Sequence, residues 1–328
     1  MTTEYRLMKA EEMEQILDVW LEVYPETERE GWRREFLSIP GNQSHTFVAV
    51  ENGRVLSTAL LWVRVMNDST GTARRIGNIS HVATRPQARR GEHATRLLEL
   101  AIEEMGREGC EFSTLFTSEE ARPLYERLLW QVCPTHFWQG RLINVNFAVS
   151  DEYSIHSAHP SEEPSLWETL SDIYAEFNQN RPLAIRRDAS TWKTFTAHKI
   201  TDWVQAGASV WLAYPRESPN EICGYLVAHC AEQGFLVAEA GARERHRAAV
   251  AGLLGKVIGS YEKGQQIGGR LYLPNEPDVL ALLESCMEPL VQVESDEMMV
   301  REIDPPKNGD FVVPASEGRG MFWLLDQI

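Results

Sequence analysis

Two adjacent arginines and a glycine come directly before an amphipathic helix. These residues are Arg89, Arg90 and Gly91, and the pattern predicts a helix that begins near Glu92. The first turn of a helix carries amide groups without internal acceptors, together with the positive end of the helix dipole, and it therefore favours an anion. Arginines add charge-assisted hydrogen bonds, and a glycine lets the main chain come close to a ligand. The spacing predicts a site for a pyrophosphate-like anion, with a solvated basic turn as the alternative.

A strand and a helix must hold this turn in place. Residues 76–84 read as a β-strand and residues 85–91 as the turn itself. The helix prediction rests on apolar side chains that recur at helical spacing and form one stripe against a sheet. That stripe consists of Leu97, Leu98, Ala101, Ile102 and Met105.

The order V-x-x-x-P-x-x-R-x-x-x-x-A-x-x-L-L resembles the acetyl-CoA motif of the GNAT superfamily of N-acetyltransferases. The matching residues are Val82, Pro86, Arg89, Ala94, Leu97 and Leu98. The resemblance implies acetyl-CoA as a cosubstrate, with main-chain groups of residues 82–84 holding the pantetheine and polarising the thioester carbonyl. The coenzyme-binding residues implied in this way are Val82, Ala83, Thr84, Arg89, Arg90, Gly91, Glu92, His93, Ala94 and Thr95.

One position departs from the usual R-x-x-G-x-G/A form of this motif. Glu92 stands where a glycine is usual, and Gly91 comes one residue early. A carboxylate beside a pyrophosphate is repelled unless it turns to solvent or caps the helix. We expect Glu92 to cap the helix.

A second block, ARPLYERLLW, resembles the A-x-x-L-Y-x-x-L-G-F pattern of the same family, with Leu129 in place of the glycine. The resemblance implies that Tyr125 lies beside the thioester sulfur and protonates the departing thiolate as a general acid. Plain packing of the tyrosine is the alternative. The matching residues are Ala121, Leu124, Tyr125, Leu128 and Trp130.

The general base is less clear, because many relatives carry a glutamate four residues before the valine and this chain has Asn78 there. An amide does not accept a proton at neutral pH. Strand alternation puts Ser80 on the same face as Asn78 and His81 on the other, so we expect His81 in packing or on the opposite surface. We therefore expect an ordered water, the Asn78 and Ser80 side chains, or a carboxylate from elsewhere in the chain to deprotonate the amine.

Length and composition indicate an ordinary globular protein of two domains. The chain has 328 residues, of which 43% are hydrophobic and 24% charged. The sequence has no apolar run of membrane length and no secretory leader, so we expect a cytoplasmic protein. Its five cysteines are scattered, and we therefore expect no disulfide framework and no metal site.

The formal net charge of −16 disfavours nucleic acid and anionic membranes as partners. A cationic amine is compatible with it. Asp18, Glu22 and Glu26 are candidates for attracting an ammonium group, with a solvated helix face as the alternative. A homodimer is also compatible with the sequence.

The order of predicted elements places a catalytic GNAT domain at residues 1–150. Its clearest local feature is a hairpin over residues 45–65 about Asn52 and Gly53, because an Asn-Gly pair tolerates the positive φ angles of a tight turn. A strand-like stretch over residues 138–150 is expected to close this domain. Residues 151–165 then read as a polar linker.

The second half resembles a degenerate repeat of the first, and we expect a degenerate GNAT-like domain at residues 166–303. A gapless alignment lays Val82 on Ala238 and Arg89 on Arg245. The copy lacks the proline and glycine of the turn, so it is expected to pack like the first domain without holding coenzyme. Residues 304–328 are expected to form a docked tail, in which Asp326 or the carboxylate of Ile328 is a candidate base and edge-strand packing is the alternative.

We therefore expect an α/β (α+β) fold of tandem GNAT-like domains, each a mixed, mostly antiparallel sheet flanked by helices, with the second copy degenerate. This arrangement is similar to the enhanced intracellular survival family and to fungal lysine N6-acetyltransferases, and the chain is too short for the third, sterol-carrier-like domain of the former. The resemblance implies acetyl transfer to a primary amine of a small molecule, such as a lysine-like compound, a polyamine or an aminoglycoside. A protein lysine or N-terminal acetyltransferase and a non-catalytic coenzyme-binding protein remain as alternatives.

Overall fold

The computed structural model describes residues 2–145, 151–160, 163–262, 267–303 and 320–327. Two mixed β-sheets form its framework. The strands of the first half are β1 (Glu4–Leu7), β2 (Thr46–Glu51), β3 (Arg54–Asn67), β4 (Ala73–Thr84), β5 (Phe112–Phe116), β6 (Gln131–Val132) and β7 (Thr135–Arg141). Those of the second half are β8 (Tyr153–Ala158), β9 (Ile185–Arg186), β10 (Ala208–Pro215), β11 (Gly224–Ala231), β12 (Gly234–Ala242), β13 (Gly268–Leu271), β14 (Val291–Ser295) and β15 (Met298–Glu302).

Helices flank both sheets. In the first half they are α1 (Met13–Val23), α2 (Arg29–Ser38), α3 (His93–Arg107) and α4 (Arg122–Glu126). In the second half they are α5 (Leu166–Asn178), α6 (Ala189–Thr191), which continues through a π-helical segment (Trp192–Thr196) into α7 (Ala197–Gln205), then α8 (Ala249–Ile258) and α9 (Pro277–Cys286). Among the described residues, no helix is both long and apolar enough to cross a membrane.

The two sheets repeat one strand order, which confirms the predicted tandem fold. The first runs β1-β2-β3-β4-β5-β15-β6, with β9 attached to β3, and the second runs β8-β10-β11-β12-β13-β7-β14. In each sheet the fourth and fifth strands are parallel and the remaining pairs along this order are antiparallel. A repeated order with a repeated set of directions indicates two copies of one unit.

Each half lends a strand to the sheet of the other half. Strand β7 pairs with β13 and β14, and β15 pairs with β5 and β6. The stretch expected to close the first domain therefore begins with a strand of the second sheet, while residues 146–150 lie outside the described part. The exchange makes the two copies interdependent, because removing either half leaves the other sheet without its sixth strand.

The expected linker was wrong in part, because residues Tyr153–Ala158 form the edge strand β8 and pair with β10. The polar side chains of this short stretch, YSIHSA, favoured a linker over a strand in the sequence. His156 accepts or donates a hydrogen bond with Ser154, at 2.7 Å between Nε2 and Oγ.

The predicted hairpin is confirmed. Strands β2 and β3 meet about Asn52 and Gly53, whose φ angles are 51° and 75°. Positive φ at both central residues is what a tight hairpin turn of this type requires.

Within residues 320–327, buried side chains and not strand pairing hold the tail. Among residues 320–327, Met321, Phe322 and Trp323 are buried, and a 3₁₀ turn covers Leu324–Asp326. Trp323 donates from Nε1 to Oδ1 of Asn178 at 3.0 Å. This segment is therefore part of the core between the two halves.

Asp326 lies in a fully buried ionic cluster. Its carboxylate bonds the guanidinium of Arg64 and lies 2.9 Å from Nη2 of Arg187, which also bonds Glu239. Two buried arginines hold this carboxylate, and it does not line the cavity described below. Asp326 is thus structural, which contradicts its candidacy as the base; Ile328 lies outside the described residues.

Candidate active site

Strands β4 and β5 separate at the point where a binding cleft begins. Their parallel pairing runs from Ile76 opposite Phe112 to Ile79 opposite Leu115 and then stops, although β4 continues to Thr84. Among the described residues, the main chain of β4 beyond Ile79 therefore has no neighbouring strand on the side of β5. Unpaired main-chain groups at a sheet edge are available to an extended ligand.

A β-bulge distorts β4 within the same stretch. Leu60 pairs with Ser80 and Thr58 pairs with Ala83, so two residues of β4 stand opposite one residue of β3. His81 takes a left-handed conformation there, with φ 49°. Thr58 fixes the bulge by donating from Oγ1 to the carbonyl oxygen of His81 at 2.9 Å.

A cavity of about 960 Å³ occupies the cleft. It runs from the basic turn, past the exposed edge of β4, to a wall formed by α1, α2, α4 and α7. The described residues that line it are Val23, Tyr24, Glu26, Trp32, Glu35, Ile79, Ser80, His81, Val82, Thr84, Arg89, Ala94, Phe116, Thr117, Ser118, Glu120, Ala121, Leu124, Tyr125, Lys199 and Gln327.

The basic turn forms one end of this cavity. Arg89 lines it and also lines an adjoining groove of about 710 Å³, together with Arg90, Gly91 and His93. Within the described part of the chain, no ion pair involves Arg89 or Arg90, whereas the neighbouring Arg85 is buried and bonds Glu22. Two arginines beside an open helix N-terminus suit an anion.

Glu92 occupies the N-cap position of α3 but does not cap it. Its φ is 55°, its side chain is exposed, and it makes no capping hydrogen bond. The expected cap was therefore wrong. A left-handed residue at this position turns its carboxylate away from the first-turn amides, which leaves those amides open.

The other predicted coenzyme residues divide between the cavity and its surroundings. Val82, Thr84 and Ala94 line the cavity, while Ala83 is buried and Thr95 lines neither space. The carbonyl oxygen of Val82 accepts a hydrogen bond from the hydroxyl of Tyr24 at 3.0 Å. Tyr24 thus anchors β4 where a thioester is expected to lie.

Tyr125 is packed, and it also faces the cavity. Its side chain is 7% exposed and its ring makes an edge contact with Trp130. Burial raises the pKa of Tyr125 above its ordinary value, with a smaller contribution from Tyr24. In the described chain its hydroxyl has no hydrogen-bond partner. A neutral phenol with a free hydroxyl in a cavity is suited to give a proton to a leaving group.

The two other predicted catalytic residues lie in different surroundings. Asn78 is 1% exposed and donates from Nδ2 to the carbonyl oxygen of Thr114 at 3.1 Å, and it does not line the cavity. Ser80 lines the cavity, with its Oγ 2.9 Å from Nδ1 of His81. Ser80 remains a candidate, whereas Asn78 has no contact with the space where an amine would bind.

His81 was expected on the opposite face of the sheet, and that was wrong. The bulge interrupts the strand alternation, so Ser80 and His81 line the same cavity. The ring of His81 packs against Trp20, with 4.3 Å between ring centroids. Its Nε2 lies 3.4 Å from Oε1 of Glu35.

Glu35 and Lys199 are site residues that the sequence did not indicate. Nζ of Lys199 lies 3.5 Å from Oε1 of Glu35. Burial alone would raise the pKa of Glu35, but the hydrogen bond from His81 and the charge of Lys199 outweigh it and lower that pKa to about 2. Glu35 is thus a carboxylate at neutral pH. Glu35 lies within a short, highly charged helix, and no motif in the sequence sets it apart from its neighbours.

Of the three acidic residues expected near an ammonium group, one faces the cavity. Asp18 bonds Arg29 and Glu22 bonds Arg85, whereas Glu26 lines the cavity. Glu26, Glu35 and Glu120 give this wall three carboxylates against the one ammonium of Lys199.

In the second copy the positive charge of the corresponding turn is neutralised by carboxylates. Its 3₁₀ segment is Glu244–His246, and Arg247 follows it as Arg89 follows the segment Pro86–Ala88. The counterpart of Arg89 is therefore Arg247 and not Arg245, because the copy's turn is two residues shorter. Each arginine there has a carboxylate partner: Arg243 bonds Glu176, Arg245 bonds Glu221, and Arg247 bonds Glu244 and Glu276.

Comparison with known proteins agrees with this geometry. Residues 4–133 match the family model of the acetyltransferase (GNAT) domain. This part of the chain is thus similar to a GNAT acetyltransferase domain, a kind of domain that supports acyl transfer in general. A search of the curated proteins finds no sequence match.

Solved structures share the fold of both halves. A conserved protein of unknown function from Enterococcus faecalis V583, a probable N-acyltransferase, has a TM-score of 0.72 at 15% identity, covering 93% of this chain and 73% of that chain. Eis1 from Mycobacterium abscessus has a TM-score of 0.64 at 14% identity, covering 92% and 74%. A tandem GNAT protein from the clavulanic acid biosynthesis pathway has a TM-score of 0.51 at 14% identity, covering 93% and 100%. At these identities the likeness shows a shared fold, and the predicted tandem arrangement is confirmed.

Proposed function

We propose that this protein transfers an acetyl group from acetyl-CoA to a primary amine of a small cationic molecule. The observation that carries the proposal is one continuous cavity that joins the unpaired Arg89, the exposed edge of β4 and the free hydroxyl of Tyr125 to a wall with three carboxylates. A coenzyme, a thioester and an amine can be placed along it in that order.

The coenzyme end fits a diphosphate. Arg89 and Arg90 lack carboxylate partners in the described residues, and α3 presents uncapped amides beside them. Gly91 has no side chain that would keep a ligand away from its main chain. The adjoining groove, which also contains Arg54, offers further positive charge for the rest of the nucleotide.

The acceptor end fits a cation. Glu26, Glu35 and Glu120 outnumber Lys199, and the aromatic rings of Tyr24 and Trp32 stand beside them. An ammonium group is attracted by carboxylates and by aromatic faces. The net charge of −16 over the whole chain acts in the same direction and supports a small cation over nucleic acid as the partner.

Acetyl-CoA supplies an activated acetyl thioester when it is bound. The main-chain amides of β4 beyond Ile79 hold the pantetheine and polarise the carbonyl, as an oxyanion site does. Tyr24 fixes that segment through its bond to Val82. Tyr125 gives its phenolic proton to the departing sulfur, and α2 and α7 close the acceptor end against water.

The experiment is calorimetric titration with acetyl-CoA, followed by mass spectrometry of a panel of diamines, amino acids, aminoglycosides and lysine peptides. The proposal expects one acetyl-CoA per chain and one N-acetyl small molecule per thiol released. Acetylation of peptides alone would favour the protein acetyltransferase alternative. Binding with no acetylated product would favour a non-catalytic coenzyme-binding protein.

A further inference from the structure

Three side chains from two elements form a row of polar contacts at the acceptor end of the cavity. Oγ of Ser80 lies 2.9 Å from Nδ1 of His81, and Nε2 of His81 lies 3.4 Å from Oε1 of Glu35. All three residues line the cavity, whereas the tyrosine assigned as the acid stands on α4. Both ring nitrogens of His81 are thereby engaged, one by a hydroxyl and one by a carboxylate.

The bulge in β4 makes this chain possible. On a regular strand the side chains of Ser80 and His81 point to opposite faces. The extra residue and the φ of 49° at His81 bring both to the cavity. A non-glycine residue in a left-handed conformation costs on the order of 1–3 kcal/mol, and such strain clusters at functional sites.

We propose that Ser80, His81 and Glu35 form a proton relay that removes the proton from the bound ammonium group before it attacks the thioester. The inference rests on the proposed function and supplies the general base that it lacks. Ser80 is the group that touches the amine. His81 and Glu35 act through it, as the acceptor of its proton and as the group that orients the ring.

The protons and electrons balance as follows. A primary amine with a pKa near 10 enters as the ammonium ion at neutral pH. Its N–H bond breaks and the proton passes to Oγ of Ser80, while the hydroxyl proton of Ser80 passes to Nδ1 of His81, and the imidazolium is held by the Glu35 carboxylate. The freed lone pair forms the C–N bond, the C–S bond breaks, and the sulfur takes the proton of Tyr125. One of the two protons left on nitrogen passes to the Tyr125 phenolate, the other stays in the product amide, and His81 releases its proton to solvent.

Charged groups on two helices meet beside His81. In the proposed relay Glu35 on α2 accepts from Nε2, which leaves Nδ1 with the lone pair that Ser80 needs. Lys199 and His198 on α7 lie near Glu35, and Lys199 contacts the same carboxylate oxygen. The ring of His81 also contacts Trp20 and Trp32.

The test compares Ser80→Ala, His81→Gln and Glu35→Gln with Glu30→Gln, a matched change on an exposed residue of α2 that pairs with Arg33. The ring nitrogen signals of His81 are assigned by their loss in His81→Gln and recorded by NMR at one pH without any substrate. A carboxylate that accepts from Nε2 holds the tautomer in which Nε2 carries the proton. We expect the population of this tautomer to fall in Glu35→Gln and to stay in place in Glu30→Gln.

The kinetic arm uses the best amine from the panel. We expect kcat to fall roughly tenfold or more in Ser80→Ala and Glu35→Gln, with the acetyl-CoA Kd unchanged. A wild-type enzyme that acetylates the amine while both variants keep its kcat would overturn the relay and leave the proposed function standing. Ring nitrogen signals of His81 that do not respond to Glu35→Gln would also overturn it. Absence of acetylation by the wild type overturns the proposed function and the relay together.

Discussion

Nζ of Lys199, in the second half of the chain, lies 3.5 Å from Oε1 of Glu35, in the first. The helix α7 that carries Lys199 therefore lines one end of a cavity whose other end is formed by the basic turn of the first half. Gln327 of the tail lines the same cavity. In the proposed function the second copy thus serves as a wall of the acceptor pocket.

The acidic wall predicts a specific kinetic effect. Glu26→Gln removes one of the three carboxylates that face a cationic amine, so the KM of the amine should rise several-fold with the acetyl-CoA Kd unchanged. Steady-state kinetics with the best amine measures both. The matched control is Glu28→Gln, an exposed residue outside the cavity. Equal KM values for the parent and Glu26→Gln would show that this wall does not bind the ammonium group.

The basic turn should control coenzyme affinity. Each charge-assisted contact contributes about 1.5–3 kcal/mol, so the Arg89→Ala, Arg90→Ala double variant should bind acetyl-CoA at least tenfold more weakly in calorimetry. Arg245→Ala in the copy's turn, where the arginine already pairs with Glu221 at 2.9 Å, is the matched control and should bind normally. Unchanged affinity in the double variant would place the phosphates elsewhere.

Glu92 should be replaceable by glycine without loss of stability. The residue holds φ at 55° and makes no cap bond, and glycine tolerates that conformation. We expect the free energy of unfolding of Glu92→Gly to equal that of the parent or to exceed it by up to about 1 kcal/mol, whereas Glu92→Ala keeps the strain. Urea unfolding decides this; a Glu92→Gly variant about 1 kcal/mol less stable would restore the capping role.

Much of the fold was readable from local patterns. The hairpin about Asn52 and Gly53 and the stripe of α3 each lie within one or two neighbouring elements, so spacing and turn chemistry suffice to predict them. The exchange of β7 and β15 joins residues far apart in the sequence, since Thr135 pairs with Ser295 and Arg301 pairs with Ser113, and no local period records that pairing.

The site, too, was predictable only where its residues stand in local motifs. Arg89 and Tyr125 stand in motifs and were found, although the roles proposed for them stay predictions. His81 was placed on the wrong face because alternation assumes a regular strand, and the bulge is set by Thr58 on the neighbouring strand. Lys199 comes from the other half, so only the tertiary fold brings it to Glu35.

Stability at acid pH should depend on Glu35. Its pKa is lowered to about 2 in the folded protein, because the hydrogen bond from His81 and the charge of Lys199 outweigh burial. A depressed folded pKa means that the contribution is present above the unfolded pKa near 4.5 and is lost as the pH falls towards 2.

The difference in unfolding free energy between the parent and Glu35→Gln should therefore be largest above pH 5, at most about 3 kcal/mol, and should shrink as the pH falls below about 4.5. Urea unfolding of both proteins across this range measures it. A difference that does not vary with pH would mean that the charge of Glu35 does not stabilise the fold.

The turnover number of Tyr125→Phe tests the central claim most directly, because this change keeps the ring in the core and removes only the hydroxyl that faces the cavity. If the cavity transfers acetyl groups with Tyr125 as the acid, kcat should fall roughly ten- to a thousandfold, with the acetyl-CoA Kd and the Tm nearly unchanged. Tyr214→Phe, a hydroxyl deletion in the second sheet, should keep the parent kcat. A Tyr125→Phe enzyme within about threefold of the parent would contradict the account, since general-acid catalysis contributes far more than that.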